Sequence, residues 1–100
     1  MNKNIVAICE NEASAKSLQQ AALELGFNVK YEVQAKSAIK NELSEKDINE
    51  AAIVLFVISY DVEDIEKIER FIDREYYEVE PQYVINDAKA VLKEISSELN

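Results

Sequence analysis

The chain has 100 residues, with 11 Lys plus Arg against 20 Asp plus Glu, so its formal net charge is −9. A field of that sign repels nucleic acid and anionic lipid headgroups, and neither is expected as a direct partner. The absence of histidine removes the commonest general base and metal ligand, and the single cysteine allows no internal disulfide.

Ile5-Val6-Ala7-Ile8 is a short apolar run, expected to form a strand buried on both faces. It follows Met1-Asn2-Lys3-Asn4 directly, with no leader pattern, and no apolar run reaches the ~20 residues that span a bilayer. Direct membrane insertion is therefore not expected, and a free thiol fits a cytoplasmic location. From Asn11 to Leu25 the pattern turns helical, with Ala15, Leu18, Ala22 and Leu25 on one stripe. Asn11 is placed to cap that helix, and Gly26 to end it in the left-handed conformation. Val29, Tyr31 and Val33 alternate with Lys30, Glu32 and Gln34, which predicts a half-covered strand at a sheet edge. Ser44-Glu45-Lys46-Asp47 resembles a capping box opening a short helix through Ile48, Ala51 and Ala52. Residues 53–58, IVLFVI, form the most hydrophobic stretch and predict a central strand. A helical stripe is expected at Val62, Ile65, Ile68, Phe71 and Ile72, then a weaker strand at Tyr76-Tyr77-Glu78-Val79. Asn86 or Asp87 should cap a last helix with apolar positions Ala88, Val91, Leu92, Ile95 and Leu99.

Strands alternating with helices imply parallel pairing through right-handed crossovers, hence one α/β domain over residues 1–100. In such sheets chemistry collects at the carboxyl ends of the strands. Those ends are Cys9-Glu10-Asn11-Glu12, Gln34-Ala35-Lys36-Ser37 and Ser59-Tyr60-Asp61. Cys9 thus stands just ahead of a helix N-terminus, whose unpaired N–H groups favour a thiolate and would hold a phosphate. A small apolar residue finishing a strand is the plainer reading of the same position. Asp61-Val62-Glu63-Asp64 lacks the glycine-punctuated spacing of a calcium loop and reads as a capped helix start.

Residues 31–48, YEVQAKSAIKNELSEKDI, resemble the segment VETQGSxGIxNxLTxxDI of fructose-type enzyme IIB proteins of the bacterial sugar phosphotransferase system. Glu69-Arg70-Phe71 and Tyr77-Glu78-Val79 resemble that family's ERF and YEV pair, Ala88-Lys89-Ala90-Val91-Leu92 its C-terminal helix, and Ile5-Val6-Ala7 its first strand. The resemblance implies a single-layer, four-stranded parallel sheet in the order 2-1-3-4, flanked by helices as a three-layer sandwich. It also implies a phosphocysteine intermediate, with Cys9 taking phosphate from a phosphohistidine on enzyme IIA. The phosphate then passes to a sugar at the membrane subunit, enzyme IIC. No cofactor is implied. Asn11, Ser14 and Gln34 are the residues expected to bind the phosphate or a partner.

The departures from the family fall on the chemistry. The family's loop reads roughly CPTGIAHT, where this chain has Cys9-Glu10-Asn11-Glu12-Ala13-Ser14 and is several residues shorter. Two family glycines are Ala35 and Ala38 here, and glycine is what lets backbone N–H groups turn toward an anion. Glu10 and Glu12 add negative charge that opposes a phosphate and raises a neighbouring thiol's pKa, though acids also suit the first turn of a helix. The competing expectation is a non-catalytic, loop-degenerate relative that serves as a protein-binding or regulatory module.

Overall fold

The structure is a computed structural model and describes residues 3–35 and 38–98. Its elements are β1 (Asn4–Cys9), α1 (Glu12–Leu25), β2 (Asn28–Ala35), β3 (Ala38–Lys40), α2 (Glu45–Glu50), β4 (Ile53–Val57), β5 (Tyr76–Val79) and α3 (Pro81–Glu98). The sheet order is β3-β2-β1-β4-β5. Four strands are parallel and keep the expected order of neighbours, but the sheet has five strands and is mixed. β3 returns antiparallel along the end of β2, pairing Val33 with Lys40 and Ala35 with Ala38. That hairpin covers backbone groups that an edge strand would leave open, so the expected all-parallel sheet is corrected.

Local chemistry explains the elements that surround β1. The Asn11 side chain accepts a hydrogen bond from the Ser14 N–H at 2.8 Å and so caps α1. Gly26 ends the helix at φ 83°, where a side chain is costly, and the Phe27 N–H returns to the Ala22 carbonyl at 2.8 Å. Ser44 caps α2 by accepting from the Asp47 N–H at 3.1 Å. β4 is buried along its whole length.

Side chains alternate across the sheet, and each face has its own core. α1 and α3 cover Ile5, Ala7 and Cys9 of β1 together with Leu55 and Val57 of β4. On the other face Val6, Ile8, Val54 and Phe56 pack with Ile48 of α2, Ile65 and Phe71.

Two further expectations change. The segment after β4 is not a helix but two 3₁₀ turns, Val62–Asp64 and Ile68–Phe71, separated by Lys67 at φ 59°. Its apolar residues at 62, 65, 68 and 71 recur every three positions, the period of a 3₁₀ turn. Ile65 and Phe71 still enter the core, whereas Ile72 is exposed. A helical segment from Pro81 precedes the expected last helix, which Asp87 caps as expected: Asp87 is non-helical, at φ −158°, and its carboxylate accepts from the Ala90 N–H at 3.1 Å. Lastly, Glu32 and Gln34 are buried rather than solvated. Lys36, Ser37 and Leu99, named above, lie outside the described residues. Among the described residues no helix is long and apolar enough to cross a membrane.

Candidate functional site

From β1 the chain runs outward to β2 on one side, and on the other β4 leads to β5. The point where the order reverses therefore lies between β1 and β4, which is where ligands gather in open α/β sheets. Cys9, Glu10, Asn11, Ser59 and Tyr60 come from the two strand ends at that crevice.

Cys9 is the last residue of β1, in register with Val33 on one side and Val57 on the other. Its side chain is 0 % exposed and belongs to the apolar cluster of Ala15, Leu18 and Val33. Burial raises the thiol and outweighs the lowering by the Ser14 side chain, so that it is pushed up to about 12. Only Glu10 and Asn11 separate β1 from α1. The Glu10 N–H still donates to the Val57 carbonyl, at 3.1 Å, so the β ladder continues one residue past Cys9.

The N–H groups at this mouth are held by the chain's own side chains. Asn11 Oδ1 takes the Ser14 N–H at 2.8 Å, and the Ser14 hydroxyl donates to the Asn11 carbonyl at 3.1 Å. The Glu10 carboxylate, which lies outside the helix, reaches across the crevice and accepts from the Ser59 N–H. Burial raises the Tyr60 hydroxyl, and the negative charges of Glu10 and Asp64 with the Cys9 sulfur raise it further.

Cys9, Asn11 and Ser14 come together at the start of α1, but Gln34 does not join them. Val33 pairs with Cys9 and Glu32 with Ile8, so Gln34 and Glu32 point to the opposite face of the sheet. There Gln34 Nε2 donates to the Glu32 carboxylate at 2.6 Å and to the Glu66 carbonyl at 3.1 Å. Gln34 Oε1 accepts from the Glu66 N–H at 2.9 Å. Arg70 completes the cluster with a two-pronged pair to Glu32, at 2.9 and 3.0 Å, and Glu32 also accepts from the Leu43 N–H at 2.9 Å. Burial alone would raise the Glu32 carboxyl; the bonds from Arg70, Gln34 and Leu43 outweigh it and hold the group below the usual carboxylate range.

Sequence reasoning overlooked this Glu32–Arg70 pair and the crossing of Glu10 to Ser59. A signal for the first was present: Glu32 lies in the YEVQ segment and Arg70 in the ERF segment, two stretches that carried the family resemblance. Asp61, Glu63 and Asp64 open the first 3₁₀ turn, where the Asp64 N–H donates to the Asp61 carbonyl at 3.0 Å. Among the described residues no group of three His, Cys, Asp or Glu is arranged to hold a metal ion.

Comparison with known proteins adds the family. The model for the lactose/cellobiose-specific IIB subunit of the PTS (phosphotransferase) system matches residues 4–94. The PTS system fructose-like EIIB component 1 of Escherichia coli is 35 % identical, covering 95 % of this chain and 92 % of that protein. The solution structure of an enzyme IIB subunit of the PTS system from Escherichia coli superposes with a TM-score of 0.86 at 33 % identity, covering 99 % of this chain and 95 % of that one. A domain of a fructose-specific IIABC component from Borrelia burgdorferi does so with a TM-score of 0.79 at 26 % identity, over 94 % of this chain and 93 % of that one. With the family model matching residues 4–94 and both the sequence relative and the solved structure covering nearly the whole chain, the chain belongs to the enzyme IIB family of the sugar phosphotransferase system, in its fructose-like branch.

Proposed function

We propose that this fructose-like enzyme IIB domain works as a docking or regulatory module of a sugar phosphotransferase system and does not carry phosphate on Cys9. The observation that supports this reading is the burial of Cys9 in the β ladder, with its thiol pushed up to about 12. At neutral pH only about one such thiol in 100,000 is a thiolate, the form that attacks phosphorus. The Glu10 carboxylate on the Ser59 N–H and the Asn11 side chain on the Ser14 N–H occupy donors that an incoming phosphate would need. The partners of such a module are enzyme IIA and the membrane subunit enzyme IIC, met on the cytoplasmic side. Asn11, Ser14 and Gln34 then serve as structural residues, capping α1 and tying β2 to the crossover.

One observation favours the carrier reading, in which Cys9 relays phosphate from enzyme IIA to a sugar at enzyme IIC. Cys9 lies two residues before the N-cap of α1, where the positive end of the helix dipole favours a thiolate. Labelled phosphoenolpyruvate, the general phosphotransferase proteins and the matching enzyme IIA decide between the two. The module reading expects no thiol-bound label on the chain, together with saturable shifts in the NMR spectrum of enzyme IIA. Label on the wild type that disappears in Cys9→Ser overturns it and establishes the carrier.

A further inference from the structure

On the α1 and α3 side of the sheet, β5 is the terminal strand and is only partly covered. Tyr77 and Val79 of β5 are half-buried there and, with Tyr83 and Val91 of α3, wall an open groove of 480 Å³. Tyr83 is 56 % exposed on its rim. Asp87 and Glu94 also line the groove, and no Lys or Arg does. An apolar channel with acidic edges suits an apolar side chain flanked by cations. A second copy of the chain carries the same net charge of −9 and is repelled. The groove also borders the outer edge of the sheet, alongside which an extended segment can lie.

We infer that the groove between β5 and α3 docks a partner segment in which apolar side chains alternate with lysine or arginine. The inference is independent of whether Cys9 carries phosphate, because the groove and the β1–β4 crevice share no lining residue.

The full chain is titrated into a short fluorescein-labelled peptide of alternating leucine and lysine, and binding is read by anisotropy. Amide NMR then locates the site. Saturable binding is expected, with shifts at Tyr77, Val79, Tyr83 and Val91. Glu94→Lys and Tyr83→Ser, both at exposed positions, should each weaken binding about fivefold at low ionic strength. Circular dichroism confirms that both variants stay folded. Four results overturn the inference: no saturable binding, shifts confined to another face, equal affinity for a peptide of alternating leucine and glutamate, or equal affinity in Glu94→Lys. Sedimentation velocity supplies a fifth, since a dimer that Tyr83→Ser dissociates would make a second copy the occupant.

Discussion

Arg70→Ala withdraws two charge-assisted hydrogen bonds from Glu32, at 2.9 and 3.0 Å, and leaves its carboxylate to the Gln34 amide and the Leu43 N–H. The Glu32 side chain is 0 % exposed and that of Arg70 is 18 % exposed, so water reaches the guanidinium but not the acid. Removing one partner of a buried pair costs about 3–5 kcal/mol. The two surviving bonds to Glu32 and the partial exposure of Arg70 place the expectation at the lower end, ~3 kcal/mol. The domain's whole stability is on the order of 5–15 kcal/mol, so the loss is large. In urea it lowers the midpoint by roughly 2 M, taking a slope of ~1.5 kcal/mol per molar. The pH dependence is the sharper test. In the native protein Glu32 is held below its ordinary pKa, so its contribution is full above that ordinary value and lost as pH falls through the lowered one. Without Arg70, burial prevails and the pKa rises above the ordinary value. Protonation then relieves the variant, and its deficit narrows between about pH 7 and about pH 4. Urea unfolding at both pH values checks this, and Arg70→Ala in a Glu32→Gln background should cost only ~1 kcal/mol. A deficit below ~1 kcal/mol at neutral pH, or one that stays constant on acidification, refutes the reasoning.

Three more expectations follow from the caps and the thiol. Cys9 should react with iodoacetamide about a thousandfold more slowly in the native chain than in urea, the ratio of thiolate expected for a thiol at about 12 against an ordinary 9.0; mass spectrometry of timed quenches measures it. The rate should climb with pH up to the unfolding limit. Asn11→Ala deletes the acceptor of the Ser14 N–H and should cost ~1 kcal/mol, read as a lower Tm with β1 register unchanged. Gly26→Ala forces a side chain into φ 83° where the added carbon meets open space, so the loss of ~1 kcal/mol is one of backbone conformation alone. Calorimetry of that variant should show an intact fold.

What the sequence made legible was local chemistry. The Asn11 and Gly26 caps, the Ser44 capping box and the apolar run of β4 each act over a few residues, and each appears where its signal lies. Tyr76–Val79 also forms the expected strand. The readings that changed depend on partners far along the chain. Glu32 and Gln34 sit at alternating positions that suit a solvated face, and what buries them is Arg70 and the Glu66 backbone, 38 and 32 residues away. The crossover from 61 to 75 has helical residue types, but Lys67 turns left-handed and Arg70 folds back onto the carbonyls of Lys67 and Glu66. Its three-residue period was the legible sign of that outcome. β3 is three residues long and too short to register as a pattern of its own.

On the module reading, the short connection between β1 and α1 is what keeps Cys9 from serving as a nucleophile. A cysteine that accepts phosphate must leave the strand and face a ring of N–H groups. Here β1 and α1 are joined by Glu10 and Asn11, and both are committed: Glu10 continues the ladder to Val57 through its backbone, and Asn11 is the cap of α1. No residue remains as slack. Drawing Cys9 outward would break its register with Val33 and Val57, pull a buried group from the core and uncap the helix. The cap alone is worth ~1 kcal/mol and a lost β-ladder hydrogen bond ~1 kcal/mol more. The chain's replacement of the loop therefore acts on position before it acts on charge. Glu10 adds the second barrier, since a carboxylate already seated on the Ser59 N–H leaves that donor spoken for and repels a dianion. The scaffold that remains is held elsewhere, by Glu32, Gln34 and Arg70 on the far face of the sheet. This division lets the family's shape persist while the chemistry at its mouth changes, as the module reading requires.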